Sequence, residues 1–140
     1  MTTKIHTLTD AQGRPLRFIL TEGQAHDNTT AADLLAGRAT TGVIADKAYD
    51  TKARRARLKG ACIKDRIAHR PNKHHKLTPR QEQRNAGISH RRAGVERIFA
   101  IAKRLIGWRR VRYIGLAKNA AHFDLICTAI NLRRLAVLAP

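Results

Sequence analysis

The chain has 140 residues, 43% of them apolar, so it is long enough to bury one hydrophobic core, and we predict one domain over residues 1–140. Its formal net charge of +18 is uneven, because residues 1–50 carry five Lys and Arg against six Asp and Glu, whereas residues 51–140 carry 23 against four. With only 4% aromatic residues, base stacking is excluded as the main binding device. No apolar run approaches the roughly 18–20 residues of a membrane span, which excludes a membrane protein. From the positive charge we expect a cytoplasmic protein that binds nucleic acid.

Two strands and a short helix are predicted first. Residues 4–21 alternate apolar and polar side chains on both sides of the turn-forming segment 10–13, which predicts a β-hairpin. One face of its second strand carries Leu16, Phe18 and Leu20. A helix over residues 29–36 follows, and Asp27 or Asn28 is predicted to cap it, because such side chains accept hydrogen bonds from the first helical turn.

The middle of the chain is predicted to alternate strands and helices. An apolar strand at residues 42–46 ends in an acid, and the Ala- and Arg-rich residues 51–59 that follow favour a helix. Residues 61–63 are predicted to form another short strand. The basic, His-rich residues 64–80 include two prolines, and we expect an exposed loop there.

Two helices are predicted at the end of the chain. In the first, from Ser89 to Gly107, apolar side chains recur at three- and four-residue steps: Val95, Ile98, Phe99, Ala102, Leu105 and Ile106. The second covers residues 117–138, with a stripe of Ala121, Leu125, Thr128, Ala129, Leu132 and Leu135 that Phe123, Ile126 and Ile130 widen. The order β-β-α-β-α-β-α-α predicts an α/β or α+β fold in which helices cover a sheet.

Two acidic residues are candidates for a functional site. Asp46 ends the apolar strand, and open α/β sheets place ligand residues at the carboxyl ends of their strands. The alternative role for Asp46 is to form a turn. Glu96 interrupts a basic helix, and its alternative role is an ion pair with Arg92, four residues earlier.

These residues lie in a pattern that resembles a known family. The segment Ala-Asp46-Lys-Ala-Tyr49-Asp50, followed by Arg92-x-x-x-Glu96-x-x-x-x-x-x-Lys103, is similar to the DDE-type insertion-sequence transposases, which are cut-and-paste enzymes with a ribonuclease-H-like fold. The residues around the predicted hairpin and residues 23–27 also resemble this family, so the resemblance covers nearly the whole chain. It implies that Asp46 and Glu96 are catalytic metal ligands, and that Arg92 and Lys103 contact DNA phosphates and the active site.

Two departures from the family pattern affect the expected activity. Ser89 stands where the family has Tyr, which puts the DNA-backbone contact of that Tyr in doubt. The family's first catalytic Asp lies on the first strand of the sheet, whereas this chain begins at the predicted second strand, so we expect the chain alone to be inactive. Asp10 is not expected to replace it, because Asp favours turn geometry at a hairpin tip. Two origins would each account for the absence of the first catalytic Asp. The missing strand is encoded in an upstream reading frame that is joined by ribosomal frameshifting, or the gene has decayed.

The resemblance also implies a cofactor, Mg²⁺ or Mn²⁺, with two ions in the complete enzyme. Two ions about 3.5–4 Å apart activate the nucleophile and stabilise the leaving oxygen, and such hard cations need shared oxygen ligands. Zinc is not expected, because His69, His74 and His75 with Cys62 fit no tetrahedral spacing. Cys62 and Cys127 lie outside any CxxC pattern, and both are predicted to be reduced and buried.

Double-stranded DNA at transposon ends is the expected partner, together with an upstream-frame product or an intact transposase, and no membrane partner is expected. Residues 66–80 and exposed cations elsewhere are expected to follow DNA phosphates, so affinity should fall by on the order of a thousandfold between 50 and 200 mM salt if six phosphates are neutralised. Those cations are Lys47, Arg91, Arg92, Arg97, Lys103, Arg104, Arg109, Arg110 and Arg112. Trp108 is expected to cap the core, with wedging against a base as the alternative.

Two other functions are compatible with the charge. A non-catalytic DNA-binding remnant that regulates an intact transposase predicts salt-sensitive DNA binding and no magnesium-dependent product. A basic RNA-binding protein explains the charge but leaves the two acidic motifs unexplained, and a preference for structured RNA over duplex DNA would favour it.

Overall fold

A computed structural model of the protein describes residues 2–72 and 76–138, and the chain divides into two compact units. The hairpin unit comprises Met1–His26 and Gly94–Pro140, and the parallel-sheet unit comprises Asp27–Ala93. The elements in chain order are β1 (Thr3–Thr9), β2 (Pro15–Glu22), α1 (Ala31–Leu35), β3 (Gly42–Ala45), a 3₁₀ turn (Lys47–Tyr49), α2 (Lys52–Gly60), β4 (Lys64–Ile67), α3 (Pro79–Leu105) and α4 (Leu116–Leu138). The mixed α/β class is confirmed, and the prediction of a single domain stays a prediction.

The predicted β-hairpin is confirmed, since β1 and β2 pair antiparallel. At its turn the Asp10 carboxylate accepts hydrogen bonds from the backbone N–H groups of Gln12 and Arg14 at 3.0 and 2.9 Å. Burial opposes ionisation there, but the hydrogen bonds and the charge of Arg14 hold the pKa of Asp10 below its usual value. Asp10 therefore holds the turn, as its surroundings in the sequence predicted.

The core of the hairpin unit forms around Phe123 on α4, whose side chain is 0% exposed. Its ring centroid lies 4.9 Å from that of Phe18 on β2 and 5.1 Å from that of Trp108. Further buried members of this cluster are Ile98, Ala102, Ile126, Cys127 and Ile130. Trp108 is 8% exposed, so its predicted role in capping the core is confirmed and the base-wedging alternative for this residue is wrong.

The predicted buried face of α4 is wrong. Leu125, Leu132 and Leu135 are 69%, 62% and 67% exposed. The residues expected only to widen the stripe are the buried ones, and Phe123 is the largest of them. Because apolar residues occur nearly all around α4, periodicity alone does not choose the face, and the ring contacts of Phe123 decide it.

In the parallel-sheet unit, β3 and β4 pair in parallel, with Gly42 opposite Lys64 and Ala45 opposite Ile67. The strand predicted at residues 42–46 and the helix predicted at 51–59 are therefore confirmed within one or two residues. The Thr51 hydroxyl caps α2 by accepting from the N–H of Arg54 at 3.3 Å. As in other parallel pairs, the carboxyl ends of both strands meet at one edge.

Two predictions in this unit are wrong. Helix α1 begins after Thr30, which makes no side-chain cap, so neither Asp27 nor Asn28 caps it. The strand predicted at residues 61–63 is a turn, in which Cys62 adopts a left-handed φ of +55°. Cys62 is also exposed, which corrects the expectation that both cysteines are buried.

The predicted exposed loop 64–80 is shortened from both sides. Strand β4 occupies its first four residues, and α3 begins at Pro79, ten residues before the predicted start at Ser89. A reciprocal cap starts α3: the N–H of Gln81 donates to the Thr78 hydroxyl at 3.3 Å, and the N–H of Thr78 donates to Oε1 of Gln81 at 3.0 Å. This Thr-Pro-x-Gln signal was present in the sequence and was overlooked. Gly107, with φ of +68°, follows the end of α3 as predicted.

Among residues 2–72 and 76–138, no helix is long and apolar enough to cross a membrane.

Candidate functional site

Asp46 directly follows β3, at the carboxyl edge of the parallel pair. Its Oδ1 accepts a hydrogen bond from the backbone N–H of Ala48 at 2.8 Å and so caps the 3₁₀ turn. The side chain is 34% exposed. Asp46 thus both ends the strand and forms the turn, although the sequence left these roles as alternatives. The hydrogen bond fixes the orientation of the Asp46 carboxylate and leaves it partly open to solvent.

Arg92 on α3 brings a positive charge to Asp46. One terminal nitrogen of its guanidinium lies 3.5 Å from Oδ2 of Asp46. Both side chains are about a third exposed, so the pair contributes little to stability, on the order of 0–1 kcal/mol. Arg92 therefore pairs with Asp46, and the alternative in which it forms an intrahelical pair with Glu96 is not observed.

Tyr49 closes the turn behind Asp46. Burial, with the negative charges of Asp27 and Asp46, raises the pKa of Tyr49 to about 12. The guanidinium of Arg54 lies 5.8 Å from the centre of its ring, within the range of a cation–π contact. Tyr49 therefore keeps its proton at neutral pH and packs at the turn as an uncharged side chain.

Arg55 on α2 ties together the segments that leave β3 and β4. Its Nε donates to Asp50 at 2.8 Å, one Nη bonds to Asp65, and the other Nη donates to the carbonyl of Ile67 at 3.2 Å. Asp50 also accepts from the backbone N–H of Arg70 at 2.8 Å. Burial opposes the charge on Asp50, but its bonds to Arg55 and Arg70 hold the pKa of Asp50 below its usual value. This cluster was missed in the sequence, because it joins residues brought together only by the parallel pairing.

His69, just past β4, lies between two arginines. Its Nδ1 is 3.3 Å from Arg55 and its Nε2 is 2.6 Å from Arg84. Burial and the charges of both arginines lower the pKa of His69 below 6.5, so the ring is neutral at neutral pH. The side chain of Asn85 bonds to the backbone N–H and carbonyl of His69 at 2.8 and 2.9 Å. These bonds fix the segment after β4 to the first half of α3.

Glu96 is exposed on α3 and belongs to the hairpin unit, whereas Asp46 belongs to the parallel-sheet unit. Two residues before it, Gly94 packs against Gly13 at the hairpin turn so closely that a Cβ on Gly13 would lie 3.1 Å from Cα of Gly94. Within the described part of the chain, Glu96 has no ion-pair partner. Its carboxylate is therefore accessible, on a helix that the hairpin positions.

Apart from Arg92, the cations named individually as DNA-binding have no acidic partner among the residues that the structure describes. In residues 2–72 and 76–138, eight of them are exposed and unpaired: Lys47, Arg91, Arg97, Lys103, Arg104, Arg109, Arg110 and Arg112. Arg55 and Arg84, in contrast, are used to hold the parallel-sheet unit together. These cations give both units exposed positive charge, which suits an anionic polymer.

The described residues contain no group of three or more His, Cys, Asp or Glu side chains that could hold a metal ion. His74 and His75, which the zinc alternative would need, lie outside the described residues. Asp46 individually suits a hard cation such as Mg²⁺, since it offers a partly exposed carboxylate oriented by a backbone N–H.

Comparison with known proteins gives consistent results. A family model described as a transposase DDE domain matches residues 1–132. Over 135 residues, the chain is 35% identical to the transposase for insertion sequence element IS1106 of Neisseria meningitidis serogroup B. That similarity covers 95% of the chain and 46% of the relative, so the chain spans about half the length of this curated relative. No solved structure matches the chain.

Proposed function

Because the chain belongs to the family of transposase DDE domains of insertion sequences, we propose that it forms part of a catalytic domain that cleaves and joins DNA at the ends of such an element. The observation that carries this proposal is the position of Asp46 at the carboxyl edge of a parallel strand pair, with its carboxylate oriented by Ala48 and faced by Arg92. We further propose that the complete domain has a ribonuclease-H-like fold, of which the hairpin and the parallel pair are parts.

Asp46 and Glu96 are the proposed metal ligands, each supplying one carboxylate to Mg²⁺ or Mn²⁺. When bound, two such ions would activate the nucleophile and stabilise the leaving oxygen of the phosphodiester. The Ala48 N–H holds one oxygen of Asp46, which orients the ligand. We propose that Arg92 contacts a DNA phosphate beside that carboxylate, since its guanidinium has five donors and Asp46 engages it through one nitrogen at 3.5 Å.

Duplex DNA is the proposed substrate, held mainly through its phosphates. The eight exposed, unpaired cations support this, because each can displace a counterion from the DNA. We expect the logarithm of the affinity to fall linearly with the logarithm of the salt concentration, with a slope of about 0.9 per phosphate neutralised.

The metal ligands can be tested by titrating the chain with Mn²⁺ and following free Mn²⁺ by electron paramagnetic resonance. Asp46→Asn and Glu96→Gln are each expected to reduce Mn²⁺ binding, because each removes a carboxylate, whereas duplex DNA affinity stays within about twofold since neither residue is a cation. Glu82→Gln is the matched control, since Glu82 is another exposed glutamate on α3. Unchanged Mn²⁺ binding in Asp46→Asn would show that the assignment of Asp46 is wrong.

A second candidate, a DNA-binding protein without catalysis, is favoured by the unpaired cations alone. It predicts the same salt-dependent DNA binding, no specific Mn²⁺ binding, and no magnesium-dependent nicking of supercoiled plasmid beyond that of an intact transposase with which the chain is combined. Nicking that depends on Asp46 in such a combination would exclude it. With two carboxylates assigned, the chain alone is expected to bind a single ion weakly and to leave the plasmid intact.

A further inference from the structure

The loop between α3 and α4 presents an apolar side chain at its tip. Ile114 is 97% exposed, and its neighbour Tyr113 is 49% exposed. A single exposed apolar residue is common on protein surfaces and by itself needs no explanation. The backbone that carries Ile114 and the charges beside it are what distinguish this position.

The loop tip is fixed by a buried polar side chain. Asn119 on α4 is 5% exposed, and its Nδ2 donates to the carbonyls of Tyr113 and Gly115 at 2.6 and 2.7 Å. Its Oδ1 accepts from the N–H of Tyr113 at 3.2 Å. Gly115 has a φ of +89°, which a residue with a side chain rarely adopts. The backbone is thus held on both sides of Ile114, and the exposed side chain is positioned by the fold.

The base of the loop is anchored in the core of the hairpin unit. Trp108 is buried, its backbone N–H donates to the carbonyl of Ala102 at 2.9 Å, and Val111 packs against the core cluster. Arg109 and Arg110 lie between these anchors and Arg112 follows the second; all three are exposed, and none has an acidic partner in the described part of the chain. The three arginines line an open depression of about 680 Å³. An apolar tip with a fixed backbone and three exposed guanidinium groups therefore lie on one loop.

We propose that this loop inserts Ile114 between stacked base pairs of duplex DNA while Arg109, Arg110 and Arg112 contact the flanking phosphates. Apolar side chains that enter the base stack from the minor groove kink the duplex, and the arginines would hold the backbone beside the kink. An apolar pocket on a protein partner would accept Ile114 but would leave three positive charges without partners, so DNA fits the whole loop better. The proposal rests on the DNA binding in the proposed function, and it adds a residue that distorts the duplex.

The test uses duplexes of about 30 base pairs with one 2-aminopurine at a pyrimidine–purine step, since these steps unstack most easily. Wild-type protein is expected to raise the 2-aminopurine emission, which reports unstacking. Ile114→Ala is expected to lose that rise in emission. It should keep the melting temperature of the protein, because Ile114 is exposed, and the salt dependence of DNA binding, because Ile114 is uncharged. Leu125→Ala is the matched control, since Leu125 is also exposed, at 69%, and lies on α4.

Replacing Arg109, Arg110 and Arg112 by Gln should lower the salt slope by about 0.9 for each phosphate that is no longer neutralised. The insertion of Ile114 into the base stack, called the wedge below, is refuted if Ile114→Ala keeps the rise in emission or if Leu125→Ala loses it equally. Absence of salt-dependent binding by the wild type would refute the proposed DNA substrate together with the wedge. Normal binding with no unstacking would refute the wedge alone.

Discussion

The close approach of Gly13 to Gly94 gives a stability prediction that can be calculated from the structure. Gly13 has φ of +75°, and a Cβ placed on it would lie 3.1 Å from both Cα and the carbonyl oxygen of Gly94. Both of these are backbone atoms, so they cannot rotate away as a side chain could. Because Glu96 follows Gly94 by two residues, this packing also sets where the hairpin holds the Glu96 segment of α3.

Gly13→Ala is expected to lower the free energy of unfolding by about 2–5 kcal/mol. A left-handed φ costs a residue with a Cβ about 1–2 kcal/mol, and the overlap with Gly94 adds about 1–3 kcal/mol, as overpacking does elsewhere. Gly107→Ala is the matched control, because Gly107 has φ of +68° and nothing within 4 Å of an added Cβ. It should therefore show only the first cost, about 1–2 kcal/mol.

Urea unfolding followed by tryptophan fluorescence measures this difference. Trp108 is the single tryptophan, and it lies in the core of the hairpin unit, the unit that also contains Gly13, Gly94 and Gly107. The difference between the two variants isolates the close packing of Gly13 on Gly94. Equal losses of stability in Gly13→Ala and Gly107→Ala would refute the packing argument and leave only the backbone conformation.

Two further predictions concern titration and thiol reactivity. Arg55→Met should destabilise the protein more at about pH 7 than at about pH 3, because the pKa of Asp50 lies below its unfolded value of 3.8 and the ion pair with Arg55 is lost when Asp50 is protonated. In urea unfolding, the difference in free energy of unfolding between wild type and Arg55→Met should therefore shrink as the pH falls. A difference that stays constant with pH would contradict this prediction. Cys62 should react rapidly with a thiol reagent, because it is exposed. Cys127 should react only on unfolding, because burial and the charge of Asp124 raise the pKa of Cys127 to about 12. Rapid reaction of both cysteines, or rapid labelling of the Cys62→Ser variant, would count against this prediction.

The features found from the sequence are those fixed by neighbours along the chain. The hairpin turn at Asp10 depends on bonds within five residues, and the strand that ends at Asp46 depends on an apolar run followed by an acid. The start of α3 belongs to this class as well, since Thr78 and Gln81 cap it locally, although that signal was overlooked. The family was also accessible from the spacing of the motifs around Asp46 and Glu96, and the match over residues 1–132 confirms it.

Only the tertiary structure decided the remaining features, because they depend on residues far apart in the chain. The buried face of α4 follows from where Phe18 and Trp108 meet Phe123, since apolar residues nearly all around the helix give periodicity no preference. Strand β4, with three charged residues of four, forms because it pairs with β3 and because Arg55 neutralises Asp65. The pairing of Arg92 with Asp46 likewise joins residues that are 46 positions apart in the sequence, which no local pattern encodes.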